Sequence, residues 1–169
     1  MDFKISYGVL NMYTGEGGNV TVPDGVTKIE AGAFIGHKTL TGVYLPDSVT
    51  EIGGKAFADC TSLAIAELGD GVEFVSKWAF AGCISLKKIT LPEGVKRIGW
   101  GAFSGCASLK SITLPSTLTQ IEWNAFGYCK SLKEINYRGT EAQWNAIEKD
   151  EDWDTNAGNY KINFNYKGK

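Results

Sequence analysis

Among its 17 basic residues the sequence has only two arginines, Arg97 and Arg138, and it has a single histidine, His37. With 19 acidic residues the net charge is −2. These scarcities exclude the basic face that nucleic-acid binding needs, and they leave little for bidentate reading of phosphate or guanine. No apolar run approaches the roughly 18 residues of a membrane helix, so no membrane insertion is expected. Met1 is followed by Asp-Phe-Lys-Ile-Ser-Tyr, without a basic region and apolar core, so no secretory signal is visible, which fits either a cytoplasmic protein or the mature part of an exported one. Asn19-Val20-Thr21 fits the glycosylation pattern, a weak match on its own. What the chain does have is an ordinary globular composition over 169 residues, 43% hydrophobic and 21% charged, enough for one domain. It also has 21 glycines and four cysteines.

Periodicity organises both. Phe34, Phe57, Phe80, Phe103 and Phe126 recur every 23 residues, each preceded by alanine: Ala33, Ala56, Ala79, Ala102 and Ala125. Leu40, Leu63, Leu86, Leu109 and Leu132 keep the same period, as do Ile29, Ile52, Val75, Ile98 and Ile121. Three more apolar columns begin at Val26, Val43 and Leu45. A unit this short cannot bury its own apolar side, so copies must stack into a solenoid. Each unit holds two strand-like pieces, exemplified by Ile112-Thr113-Leu114 and by Val95 to Ile98. The Ala-Phe segment followed by Gly-Cys is expected as a tight helical or 3₁₀ turn. Pro46, Pro92 and Pro115 share a column and end strands. Coils advancing about 4.8 Å each give a five-coil core of about 24 Å.

The ends predict caps. Phe3, Ile5 and Tyr7 alternate before Gly8-Val9-Leu10, which suggests a hairpin-like start, and Val20-Thr21-Val22-Pro23 is a half repeat. Thr140-Glu141-Ala142-Gln143 has capping-box form and opens a short helix with Trp144, Ile147 and Ala146 on its buried side. Ile162, Phe164 and Tyr166 alternate as a last strand. The expected division is an N-terminal cap over 1–25, five repeats over 26–140 and a C-terminal cap over 141–169, together one self-sufficient, monomeric domain.

The run Leu86-Lys87-Lys88-Ile89-Thr90-Leu91-Pro92 through Ala102-Phe103-Ser104-Gly105-Cys106 resembles the BspA-type leucine-rich repeat at every defined position. The resemblance extends from Val20 to about Tyr137. It implies a mainly β repeat solenoid, a right-handed leucine-rich-repeat-like coil, in an exported bacterial protein of surface attachment or host interaction. The sequence departs from the pattern at His37, which replaces cysteine, at Gly69-Asp70-Gly71, and at Phe74 in a row otherwise carrying Lys28, Glu51, Arg97 and Gln120.

Cys60, Cys83, Cys106 and Cys129 share one column. Parallel side chains about 4.8 Å apart do not meet disulfide geometry, and no close Cys pair suits zinc. Buried free thiols are expected. His37 beside Cys60 is the only conceivable nucleophile-base pair, and it lacks an orienting third group. The column Asp24, Asp47, Asp70, Glu93 lacks calcium-loop spacing and suits solvated turns. No catalytic residue, metal or cofactor is therefore assigned.

Three surfaces are candidates for binding. Phe74, Trp78, Trp100 and Trp123 form an aromatic stripe across three coils. These rings either stand exposed, suiting a protein ligand or a stacked sugar, or fold over the corner to shield the Ala-Phe turn. The outward row Tyr44, Glu67, Thr90, Thr113 and Asn136, with Lys88 beside it, is the concave ligand-facing side by the resemblance. The Lys87, Lys110, Lys133 column either attracts acid or protects an edge. The function expected is non-catalytic protein binding or adhesion, with carbohydrate binding as the alternative and an enzyme behind both.

Overall fold

A computed structural model describes residues 2–168. The chain opens with strands β1 (Phe3–Ser6), β2 (Val9–Tyr13) and β3 (Gly18–Thr21). The repeats supply β4 (Lys28–Ile29), β5 (Leu40–Tyr44), β6 (Glu51–Ile52), β7 (Ile65–Glu67), β8 (Phe74–Val75), β9 (Lys88–Thr90), β10 (Arg97–Ile98), β11 (Ser111–Leu114), β12 (Gln120–Ile121) and β13 (Glu134–Tyr137). The end consists of helix α1 (Glu141–Ala146), β14 (Glu148–Lys149) and β15 (Lys161–Asn163).

The strands stack into a β-solenoid. One wall is an eight-stranded sheet, β1-β2-β4-β6-β8-β10-β12-β14, parallel after the antiparallel β1-β2 hairpin. Tyr7 and Gly8 both have positive φ, 51° and 77°, as the tight primed hairpin turn requires. The opposite wall is divided into β3-β5-β7 and β15-β13-β11-β9. Between β7 and β9 no backbone hydrogen bond forms. The adjoining turn is the one carrying Gly69-Asp70-Gly71. A side chain at Gly69 or Gly71 would collide with the carbonyls of Pro46 and Asp47, so this turn presses on that of the preceding coil.

The core is a stack of columns. The five phenylalanines are buried, with centroids 4.9, 5.1, 5.4 and 5.5 Å apart and planes within 21° of parallel. Tyr13 extends the stack at its start (5.0 Å) and Trp153 closes it edge-on against Phe126 (5.8 Å). Each phenylalanine N–H donates to a carbonyl of the next coil, as from Phe80 to Ala102 at 2.7 Å and from Phe126 to Trp153 at 2.8 Å.

The Ala-Phe corner is built of successive tight turns, and the only α-helix among the described residues is α1. Residues four apart adopt positive φ in each coil, as at Gly101 (61°) and Gly105 (74°). That conformation interrupts helical bonding and turns alternate N–H groups toward the next coil. Trp78 and Tyr128 occupy the same columns at 61° and 59°, where a bulky residue is strained.

The C-terminal cap follows its expected signals. Thr140 Oγ1 accepts from the Gln143 N–H at 3.2 Å, and Gln143 Oε1 accepts from the Thr140 N–H at 2.8 Å, a capping box. Trp144 and Ile147 are buried, whereas Ala146 is exposed because six residues of helix give only one inward stripe. The final strand is shorter than the alternation suggested, with Ile162 inside it and Phe164 and Tyr166 beyond.

Replacing Phe103 by alanine removes a ring stacked on both sides. We expect Phe103→Ala to cost about 3–5 kcal/mol in urea unfolding; a loss below about 1 kcal/mol would show that the column does not hold the coils together.

Candidate functional site

The cysteine column contributes packing. Cys60, Cys83, Cys106 and Cys129 are buried free thiols whose Sγ–H groups donate to the carbonyls of Phe34, Phe57, Phe80 and Phe103 at 3.0, 3.2, 3.2 and 3.2 Å. Burial raises every thiol pKa, to about 11 for Cys60 and about 12 for Cys129. A thiol held protonated is a poor nucleophile. His37 gives Cys60 no base: its Nε2 lies 2.8 Å from the Gly15 carbonyl, its Nδ1 lies 3.4 Å from Thr39 Oγ1, and its ring packs on Tyr13. The turn acids bond to the turn of the next coil, Asp47 accepting from the Asp70 N–H and Glu93 from the Ser116 hydroxyl.

The aromatic stripe resolves into a row of three indoles with Phe74 apart. Trp78 and Trp100 have centroids 5.8 Å apart, tilted by 40°, and Trp100 and Trp123 stand 5.4 Å apart at 78°. Phe74 is 39% exposed in β8, beside Arg97 in register, and makes no ring contact with the row. Trp78 is half-buried, its ring lying where a side chain on Gly101 would sit. It covers the corner, whereas Trp100 and Trp123 remain 45% and 42% exposed.

Two carboxylates that the 23-residue period did not point to complete this corner. The Trp100 N–H donates to Glu122 Oε2 at 2.8 Å, and the Trp123 N–H donates to Asp150 Oδ2 at 2.7 Å. With the two indoles they line a recess of about 330 Å³. Helix α1 lies between β12 and β14, so Gln120 pairs with Glu148, 28 residues away. That insertion takes Asp150 out of the repeat register.

The second candidate surface is a trough of about 800 Å³ on the divided wall, lined by Glu67, Lys88, Thr90, Thr113 and Asn136 together with Arg138. Tyr44 lies outside this lining. Thr113 and Asn136 are only 5% and 6% exposed, and Asn136 Oδ1 accepts from Asn163 Nδ2 at 2.7 Å. These two are engaged within the sheet, whereas Glu67 and Lys88 are exposed. Lys87, Lys110 and Lys133 are exposed, and the latter two donate backbone N–H bonds to the preceding coil's carbonyl.

Comparison with known proteins agrees with the repeat geometry. The model of the BspA type leucine rich repeat region matches residues 12–146 in six copies. The chain belongs to the BspA-type leucine-rich repeat family. A leucine-rich cell surface protein of Faecalibacterium prausnitzii is 39% identical over 85% of this chain, with a TM-score of 0.79. A leucine-rich repeat protein of T. pallidum is 33% identical over 92% of this chain and 77% of its own, at 0.74. The pneumococcal vaccine antigen PcpA is 25% identical over 89% of this chain, at 0.78. The BspA-type chain spans 38% of the Faecalibacterium protein and 37% of PcpA. No curated protein matches it in sequence. Among the described residues no helix is long and apolar enough to cross a membrane.

The thiols give a direct check. Native protein should resist a thiol reagent at neutral pH, and unfolded, unreduced protein should show four reactive thiols; fewer would mean a disulfide. The ordinary thiol value is 9.0 and the folded values lie above it, so their contribution to stability is complete below pH 9 and is lost as pH rises through about 11 for Cys60 and about 12 for Cys129. The melting temperature should fall across that window, and Cys60→Ala should flatten the early part of the fall.

Proposed function

We propose that this protein is a non-catalytic binding scaffold whose partner is a protein engaged at the Trp100–Trp123 end of the indole row, and that it works at a bacterial cell surface. The carrying observation is two large indoles, each more than two-fifths exposed, held side by side by the register of a rigid parallel sheet. Exposed aromatics on a fixed frame lose little conformational entropy on binding and resemble the anchors that dominate protein interfaces. The family supports an interaction scaffold, and its relatives include a cell surface protein and a vaccine antigen. Phe74 and half-buried Trp78 extend the same flank as secondary contacts.

The trough carrying Glu67, Lys88, Thr90, Thr113 and Asn136, with Tyr44 beyond it, is the second candidate face, favoured by its larger volume. A stacked glycan is the alternative ligand for the indoles. A sugar face stacks best on a flat platform, and ring tilts of 40° and 78° break the row into facets.

Selection of a displayed peptide library on the whole chain tests the choice. Enriched clones should lose more than about tenfold in affinity to Trp100→Ala and Trp123→Ala and keep their affinity for Thr90→Arg. The reverse pattern moves the site to the trough. A glycan panel that quenches tryptophan fluorescence, with no peptide enriched, would overturn protein binding in favour of carbohydrate.

A further inference from the structure

We propose that the recess between Trp100 and Trp123 receives the cationic side chain of a lysine or arginine from the protein partner. This rests on the binding-face reading above and names the chemistry of its ligand. The two indoles meet at 78° with centroids 5.4 Å apart, so they form a corner of two faces and not a shelf. The negative face of an indole attracts a cation within about 6 Å of its centroid, and a corner offers an ammonium or guanidinium more than one ring.

The charge around the recess has the complementary sign. Glu122 and Asp150 line it, each fixed by the backbone N–H of a tryptophan. Glu122 Oε1 is already paired with Arg97 at 3.4 Å. Among the described residues, no lysine or arginine lies within ion-pair distance of Asp150, and its Oδ1 takes no hydrogen bond from the protein. Exposed Glu148, Glu151 and Asp152 flank it in sequence, and among the described residues they too have no ion-pair partner. Apart from Arg97, the neighbouring cation is Lys149, which is turned away: its Nζ lies 4.8 Å from the Trp144 centroid and donates to the carbonyls of Trp144 (2.6 Å) and Ile147 (3.0 Å). An aromatic corner is thus bordered by one carboxylate already paired with Arg97 and by Asp150, which has no cation beside it among the described residues, and a basic side chain satisfies ring and charge at once.

Two short peptides that differ only in a central lysine or norleucine test this by calorimetry and tryptophan fluorescence on the whole chain. The lysine peptide should bind about tenfold more tightly than the norleucine peptide at low salt. That preference should shrink toward about 1 M salt, where charges separated by more than about 3 Å are screened. Asp150→Asn keeps an acceptor for the Trp123 N–H and should erase most of the preference without lowering the melting temperature. Trp123→Phe should retain more of it than Trp123→Ala. Equal binding of both peptides, no binding of either, or an unchanged preference in Asp150→Asn would overturn the proposal. The outcomes are separable from those of the face itself. Library clones that depend on Trp100 and Trp123 yet lack basic residues leave the binding face standing and overturn only the cationic ligand.

Discussion

Everything in this solenoid depends on one coincidence of lengths. Parallel strands repeat at about 4.8 Å, close to the distance at which aromatic rings pack face to face. One phenylalanine per coil therefore stacks on the next without tilting the strands, and the centroids, at 4.9 to 5.5 Å, follow the ladder. The same spacing lets each cysteine reach a phenylalanine carbonyl one coil back and lets each phenylalanine N–H reach forward. Backbone, sulfur and ring thus keep one pitch. The ends obey it too: Tyr13 and Trp153 are aromatic caps on an aromatic column.

What could be read from the sequence is what repeats. The core columns, the buried thiols, the capping box at Thr140 and the hairpin at Gly8 each follow from a local rule or from the period. The corner was harder. Gly-Cys after Ala-Phe suggests a helical turn, and the alternation of left-handed residues is legible only once neighbouring coils are seen to take alternate N–H groups. Trp78 makes the point, since nothing in its composition announces a positive φ.

The candidate site was legible in part. Phe74, Trp100 and Trp123 break their columns and are exposed, and Trp78 is drawn onto Gly101. Asp150 was hidden because α1 shifts the last coil out of the period. The outward row of Tyr44, Glu67, Thr90, Thr113 and Asn136 follows the alternation, yet Thr113 and Asn136 are buried. Sequence spacing locates a side chain on a face, while its availability depends on what the neighbouring coil places beside it.

The divided wall has a mechanical consequence. The unbroken sheet ties every coil to its neighbours, whereas the opposite wall has a seam between β7 and β9. A rod stitched on one side and slit on the other flexes about the stitched side. Bending would open or pinch the trough beside the seam and leave the spacing of Trp100 and Trp123 unchanged. The indole pair thus stands on the stitched side of the rod and the trough on the slit one.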